Sequence, residues 1–496
     1  MSQLNKDILF LLFEELRDDS KSLFSCLLVN RLWCETVIPI LWRNPWCYGI
    51  NYKNKSYLFA IIAFYLPNGI KEFLTSQGIN FPPISYQSLL FNYLSFCKSI
   101  NVNIINNSVI PIGSSLAYNQ FLLQQEFYNL LITTCSELKY LDMKSINHQI
   151  FYFPKAEARL ETLYELRCNT SVDSSYFYGL ARICQNIQKL IIINNTIKAN
   201  HGIVKLIEVQ ENLKNFEWKD DFEDEYNFIE DPYKEALLAL EKKADNLNHL
   251  KIFFQYIIWF GHTSLQKVLP KLYKLKTLII ENSFFISFTE HQSKMLVYHD
   301  IEILYIDFIT ISAASNIIEN NGGHLKEIIL FKGCYEYFEF EDNFNEASLN
   351  FIHNICEHCP SIEYLTLLFS PTKEHFTKFE KLLKVCQNLK SLLIVITDVD
   401  KEETFESISE NGAELLKTLI SSVPNNLREI RFFDDFKFSL QALEEFLKQW
   451  KSQHALSIFT SDYIYNGEDY KILINKYKND GVIKDFRVVP GSEIYY

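Results

Sequence analysis

Apolar residues recur in one short pattern along most of the chain. From residue 135 onward, an aliphatic residue is followed by two variable positions, an apolar residue, one variable position and another apolar residue. Neighbouring copies mostly lie 24 to 28 residues apart, a period typical of repeat proteins. Ten copies begin at Leu138, Ile187, Leu213, Leu247, Leu275, Ile301, Leu325, Ile362, Leu389 and Leu427, and a weaker one begins at Leu160. The sequence therefore predicts an array of similar structural units.

Each repeat combines a strand pattern with a helix pattern. The last four residues of each copy alternate as β-strands do, and helical spacing precedes most copies, as in residues 121–134, 233–244 and 376–385. Stacked βα units of this kind give an α/β fold with parallel strands on the concave side and helices on the convex side. The pattern resembles the leucine-rich-repeat family. That family's asparagine after the strand survives only as Asn195, so we expect no asparagine ladder and an irregular solenoid.

The first 46 residues have a purely helical pattern. Asn5 and Asp7 favour a helix start, and the apolar run over residues 8–13 covers every side of that helix. Residues 18–20 offer caps for a second helix, and a third follows over residues 32–42. Three helices of this size bury only part of so many large apolar groups. We therefore expect an exposed apolar patch, a feature that usually marks a partner surface.

These helices carry a recognisable motif. Leu4 to Leu9, Cys26 to Trp33 and Leu41 to Arg43 follow one another in an order that resembles an F-box, with Asn5 where that family has proline. The resemblance implies docking onto a Skp-type adaptor that bridges to a cullin. The residues it assigns to adaptor binding are Leu4, Ile8, Leu9, Phe13, Leu27, Leu28, Val29, Trp33, Leu41 and Trp42. The alternative is a three-helix cap that packs onto the following domain.

The segment between the motif and the repeats is less regular. Apolar helical stretches alternate with prolines, and we predict a first strand around residues 100–105 and a loop over residues 105–118. The predicted domains are an F-box over 1–46, a helical connector grading into the first degenerate repeats over 47–130, and a leucine-rich-repeat solenoid with a C-terminal cap over 131–496.

Three repeats carry long acidic insertions. They span residues 220–231, 336–346 and 398–410, and each follows a predicted strand. Solvated loops are the simpler explanation. The sharper hypothesis is an acidic rim that selects a basic segment of a substrate, with Trp218, Phe222 and Tyr226 as binding residues.

The residue at the central variable position of each predicted strand should lie on the concave face. Half of these positions are apolar or aromatic, which suits protein recognition, although strand propensity for bulky residues explains them equally well. They are Asp142, Ile191, Glu217, Lys251, Ile279, Tyr305, Ile329, Thr366, Leu393 and Arg431. Among them, Lys251, Tyr305 and Arg431 are the candidate substrate-binding residues.

Composition narrows the classes of partner. A net charge of −13 disfavours nucleic acids and anionic membranes. The longest apolar stretch, residues 57–66, is half of the ~20 residues that a membrane span needs, so we expect no membrane association. The N-terminal segment lacks a secretory pattern, and we expect an intracellular protein, cytoplasmic or nuclear, with its 11 cysteines reduced.

No residue pattern predicts metal binding or catalysis. His353, Cys356, His358 and Cys359 are clustered, but no second Cys-x-x-Cys pair completes a tetrahedral site. Cysteine recurs three residues before the first aliphatic residue of several repeats, which indicates a structural role. No phosphate-binding or hydrolase motif is present, and glycine is scarce at 14 residues. We therefore predict no cofactor, no metal and no enzymatic activity.

The resemblance and the repeats together imply a protein with two binding regions, one at its N-terminus and one in its repeats. The F-box would bind the Skp-type adaptor, and the solenoid would hold a target protein for ubiquitination. The alternative is a non-catalytic interaction scaffold that is not coupled to ubiquitination. Both functions need the same two surfaces, so the sequence does not separate them.

Overall fold

The computed structural model describes residues 5–46, 55–79, 81, 88–109, 117–144, 146–196, 198–221, 231–255, 263–282, 288–307, 309–330, 343–396, 405–433 and 437–490. The chain forms two compact units, Met1–Leu240 and Glu241–Tyr496. Their boundary differs from the predicted domains 1–46, 47–130 and 131–496, which follow sequence motifs and stay predictions.

The described strands are all parallel, and within each unit they lie side by side in chain order. The first unit contains β1 (Ser99–Asn101), β2 (Tyr140–Asp142), β3 (Glu165–Asn169), β4 (Lys189–Asn194) and β5 (Asn215–Asp220). The second contains β6 (His249–Phe254), β7 (Thr277–Asn282), β8 (Ile303–Ile306), β9 (Glu327–Leu330), β10 (Tyr364–Phe369), β11 (Ser391–Ile396), β12 (Glu429–Phe433), β13 (Leu456–Thr460) and β14 (Ile483–Val488).

Helices separate most of the strands. The first unit has α1 (Lys6–Glu15), α2 (Ser20–Cys26), α3 (Arg31–Arg43), α4 (Lys55–Phe64), α5 (Asn68–Ser76), α6 (Tyr93–Phe96), α7 (Val102–Val109), α8 (Ala117–Thr134), α9 (Ala156–Leu160), α10 (Ser174–Ile183), α11 (His201–Val209) and, at the boundary, α12 (Lys234–Glu241). The second has α13 (Thr263–Val268), α14 (Glu290–Lys294), α15 (Ile311–Glu319), α16 (Phe344–His358), α17 (Lys373–Val385), α18 (Phe405–Ser421), α19 (Leu440–Trp450) and α20 (Glu468–Asn479).

Alternating burial explains why the repeats form strands. In β6, Leu250, Ile252 and Phe254 are buried, whereas His249 and Lys251 are only partly buried on the opposite face. All ten copies of the repeat pattern coincide with strands, namely β2 and β4 to β12. The prediction of an α/β array with parallel strands is thus confirmed for the described residues, and we call the face away from the buried leucines the open strand face.

Two predictions around the connector need correction. A first strand does lie at residue 100, but it ends at Asn101 and not at residue 105, because Val102 already begins α7. The loop expected over residues 105–118 instead includes the end of α7 and the start of α8, while residues 110–116 lie outside the described residues.

A polar ladder joins β3, β4 and β5. Thr170 Oγ1 donates to Asn194 Oδ1 at 2.9 Å, and Asn194 Nδ2 donates to Asp220 Oδ1 at 2.9 Å. Trp218 Nε1 and Tyr233 Oη donate to the same carboxylate at 3.0 and 2.6 Å. Of these three positions one is an asparagine, Asn194, so the network does not contradict the expectation that an asparagine ladder is absent.

A glycine sets the distance between two neighbouring helices. A Cβ on Gly202 in α11 would collide with the carbonyl oxygen of Ser174 and would lie 2.9 Å from Cβ of Phe177, both in α10. A backbone carbonyl held in a helix has little freedom to move away. The two helices therefore pack as they do only because residue 202 has no side chain.

We expect Gly202→Ala to lower the free energy of unfolding by about 2 kcal/mol, because the added methyl overpacks this contact. Gly69→Ala is the matched control, since a Cβ on Gly69 in α5 would have no atom within 4 Å. The control should be neutral or slightly more stable, because alanine favours helix more than glycine does. Urea denaturation measures both, and equal stabilities would contradict the close packing.

The second unit contains a fully buried histidine. His375 in α17 lies with Nε2 2.8 Å from Ser348 Oγ and Nδ1 2.7 Å from Thr372 Oγ1. Burial lowers the pKa of His375 from 6.5 to about 4. The unfolded chain therefore takes up this proton near pH 6.5, whereas the folded chain takes it up only near pH 4.

Acidification should thus destabilise the second unit through this one residue. Between pH 6.5 and 4 the unfolded state binds the extra proton, so the His375 contribution to stability falls by on the order of 3 kcal/mol. We expect His375→Gln to lose this part of the pH dependence and the exposed His353→Gln to keep it. Urea denaturation at a series of pH values tests this, and parallel profiles for His375→Gln and the parent would contradict it.

Candidate functional site

Polar caps start the three N-terminal helices. Asn5 Oδ1 accepts the amide of Asp7 at 3.3 Å, Asp19 Oδ1 accepts the amide of Ser22 at 3.2 Å, and Asn30 Oδ1 accepts the amide of Trp33 at 3.0 Å. Such caps satisfy amides that have no partner inside the helix. The chain reversals between the helices therefore lie where the sequence provides short polar side chains.

The three helices share a closed core of their own. Its buried members are Leu9, Phe13, Leu23, Val37, Ile40 and Leu41. Arg43 at the end of α3 donates to both carboxylate oxygens of Glu14 in α1, at 3.0 and 2.5 Å. A bidentate, partly buried pair of this kind fixes the relative position of two helices. The core is thus complete without the remaining apolar residues of α1 and α2.

Those remaining residues form an exposed set that we call the N-terminal apolar surface. Leu28 is 88% exposed and Leu11 is 66% exposed. The full set is Ile8, Phe10, Leu11, Leu12, Phe24, Leu28 and Val29. It comes from α1, α2 and the turn that follows α2. Seven exposed large apolar side chains within residues 8–29 are a concentration that is typical of a partner surface.

The structure separates the predicted adaptor-binding residues into three groups. Ile8, Leu28 and Val29 are exposed, and Leu27, Trp33 and Trp42 are partly buried. The remaining described ones, Leu9, Phe13 and Leu41, are buried in the three-helix core. Their assignment as contact residues is corrected, because a side chain in a closed core has no surface to offer a partner. Leu4 lies outside the described residues.

Phe10, Leu11, Leu12 and Phe24 were missed as candidate contacts, although they are exposed. The signal was present in the apolar run that covers all sides of α1. Since Leu9 and Phe13 lie four residues apart, they share the inward face of α1. The residues between them must then point elsewhere.

Hydrogen bonds join the three helices to the first strand of the same unit. Trp46 Nε1 donates to the carbonyl of Ser99 at 3.0 Å, and Ser99 Oγ donates to Asn44 Oδ1 at 2.9 Å. The amide of Lys98 donates to the carbonyl of Arg43 at 2.9 Å. The N-terminal apolar surface is therefore held in a fixed position relative to β1.

Of the four described candidates for substrate binding, two are buried and two form ion pairs. Trp218 and Tyr305 are buried, with 4% and 5% of their surface exposed, so their assignment as surface contacts is corrected. Lys251 Nζ pairs with Glu281 at 2.9 Å, and Arg431 Nε pairs with Glu429 at 2.7 Å while its guanidinium lies 4.9 Å from the Phe459 ring. Phe222 and Tyr226 lie outside the described residues.

Two of the three acidic insertions contain a buried residue that is not part of an exposed acidic rim. Asp220, the first residue of the insertion over residues 220–231, is buried within the polar ladder. Phe344, in the insertion over residues 336–346, is also buried, at the start of α16. Residues 222–230, 336–342 and 398–404 lie outside the described residues, so the hypothesis of an acidic rim stays a prediction.

The cysteine and histidine cluster has the geometry of a packed helix end. Cys359 follows α16 and is buried, and burial raises the pKa of its thiol to about 12. Cys356 is also buried, whereas His353 lies on the exposed side of the helix near Glu357. Within the described ranges, no group of three or more histidine, cysteine or acidic residues has an arrangement that would hold a metal ion.

Membrane-spanning candidates are limited in the described part of the chain. No single helix there has both the length and the apolar character to cross a bilayer. One pair, Leu58–Phe64 and Asn68–Ser76, meets these criteria jointly but is bent by 118°.

Comparison with known proteins identifies no family. No family model and no curated protein matches the chain. Among solved structures, the chain is similar to a Bacteroides fragilis protein that was a structural genomics target, with 12% identity and a TM-score of 0.26. The match covers 62% of this chain and 66% of that one, just under two thirds of its length. A likeness of this extent carries no argument about fold or function.

Proposed function

We propose that the chain is the substrate-recognition subunit of a Skp–cullin–F-box ubiquitin ligase. The observation that carries the proposal is the N-terminal apolar surface, which lies on helices with an F-box-like sequence and is not needed for their core. A Skp-type adaptor would cover this surface, and the repeat array would hold the target protein.

Burial energetics support an apolar partner at this surface. Covering a leucine side chain contributes about 2 kcal/mol. The surface has several such groups, with Leu11, Leu12 and Leu28 each more than half exposed. Removing them from water together contributes several kcal/mol, which offsets part of the cost of association. The same helices carry exposed charged residues, among them Lys6, Glu15 and Lys21, and the rim of a protein interface is typically polar.

The hydrogen-bonded junction between the three helices and β1 supports a positioning role. An adaptor bound to α1 and α2 would be fixed relative to the first repeats, because Trp46, Asn44 and Arg43 all bond to residues at the start of β1. A target held by the repeat array would be brought, through the same chain, to another enzyme's active site. In this function the contribution to catalysis is proximity alone.

The test is affinity capture of the full chain from cells of its source, with quantification of adaptor and cullin. The proposal predicts that both are captured, and that proteins held by the repeats persist longer after deletion of residues 1–46. Capture of the adaptor without cullin would favour an interaction scaffold. Absence of both would overturn the proposal.

A further inference from the structure

On the open strand face of the second unit, one of the carboxylates, that of Glu327, lies beside two isoleucines and a tyrosine. In the register of the sheet, Glu327 of β9 lies beside Ile303 of β8 and Tyr364 of β10. Ile329 follows on the same face of β9, since Ile328 and Leu330 are buried on the other. Ile303, Glu327 and Ile329 are partly buried, and Tyr364 is exposed. The four side chains form a surface that we call the Glu327 face.

Glu327 differs from the other carboxylates on the open strand face. Glu429 accepts hydrogen bonds from Ser391 at 2.8 Å and Arg431 at 2.7 Å, and Glu281 pairs with Lys251 at 2.9 Å. The carboxylate of Glu327 has no hydrogen bond or ion pair with the described residues.

Lys326 and Lys390 interact electrostatically with Glu327 and lower its pKa, but each forms its ion pair with another carboxylate. Lys326 Nζ lies 2.8 Å from Glu302, and Lys390 Nζ lies 2.6 Å from Glu363. Burial raises the pKa of Glu327, and the neighbouring carboxylate of Glu363 raises it further. A partly buried carboxylate that has no ion pair or hydrogen bond with the described residues destabilises the isolated protein, and a basic group from outside would reduce that cost.

We infer that the Glu327 face binds an extended segment of the target protein in which a lysine or arginine pairs with Glu327 and adjacent aliphatic side chains pack on Ile303 and Ile329. Charge complementarity selects the basic residue, and the isoleucines select its neighbours. Tyr364 extends the apolar contact on the third strand, and a rigid aromatic ring of this kind is typical of interface anchors. This inference rests on the proposed function, because it names the class of target that the repeats recognise.

The test uses a library of random 12-residue peptides and purified full-length chain. Four proteins are compared: the parent, Glu327→Gln, Glu327→Lys and the control Glu319→Lys. Glu319 ends α15 in the same repeat and is exposed on a helix. We expect the parent and the control to enrich peptides that carry lysine or arginine beside leucine, isoleucine or valine. Glu327→Gln should bind the best peptide about tenfold more weakly.

Charge reversal gives the decisive comparison. A peptide whose basic residue is replaced by glutamate should bind Glu327→Lys more tightly than it binds the parent. Unchanged enrichment in Glu327→Lys, or no enrichment by the parent, would overturn the inference. Melting temperatures show whether the variants fold. Adaptor capture by the same four proteins should be equal, so failure of the target site and failure of the proposed adaptor function are distinguishable.

Discussion

Leu28→Asp should weaken binding of a Skp-type adaptor at least about 30-fold. The substitution removes about 2 kcal/mol of apolar burial from the complex, and it also forces a carboxylate out of water. Leu28 is 88% exposed in the free chain, so the folded state itself loses almost no contact. Titration calorimetry with purified proteins measures the loss, and Leu11→Asp should reproduce it from the neighbouring helix.

The matched control is Leu90→Asp, since Leu90 is 90% exposed and lies outside the N-terminal apolar surface. This control should bind the adaptor as the parent does. Equal weakening by Leu28→Asp and Leu90→Asp would indicate a general effect of added charge and would contradict a specific surface. Core substitutions such as Leu9→Asp are unsuitable, because Leu9 is buried and its loss would unfold the three helices.

Asp220→Ala should lower the free energy of unfolding of the first unit by on the order of 3 kcal/mol. The Asp220 carboxylate accepts hydrogen bonds from Asn194, Trp218 and Tyr233, and all three donors lose this acceptor in the variant. Asp220 is only 1% exposed, so its removal leaves a buried cavity that bulk water does not reach, and water does not replace the carboxylate as the acceptor for the three donors. Urea denaturation measures the loss of stability, and hydrogen exchange in β4 and β5 shows whether the loss is located there.

Asp221→Ala provides the control for the adjacent acidic position. Asp221 is exposed, and its amide, which donates to the carbonyl of Asn194, is retained in the variant. We expect a change within about 0.5 kcal/mol. If both variants lose the same stability, the polar ladder contributes nothing specific and the account of β3 to β5 is wrong.

The repeat array was predictable because burial on one face of a strand imposes a period of two on the sequence. The prediction failed where small or polar residues hold the positions of the large apolar ones. β13 was missed because Ala455 and Thr460 hold two of its three apolar positions. The weaker copy predicted at Leu160 is out of register, because Leu160 ends α9 and Leu166 of β3 pairs with Leu141 of β2.

The candidate site was predictable as a surface but not residue by residue. An apolar run on all sides of α1 requires that some side chains stay exposed. Which ones do depends on how α1 faces α3, and that is a property of tertiary packing. Leu9 and Phe13 therefore resembled contact residues in the motif although they are core residues. Similarly, Tyr305 holds a variable strand position yet is buried.

The most direct test of the central claim is hydrogen exchange of the full chain with and without a purified Skp-type adaptor. Docking on the N-terminal apolar surface predicts slower exchange over residues 8–29, where α1, α2 and the following turn lie. Exchange in β10 to β12 should not change. Protection confined to the repeats, or none at saturating adaptor, would contradict the claim that these helices are the docking site.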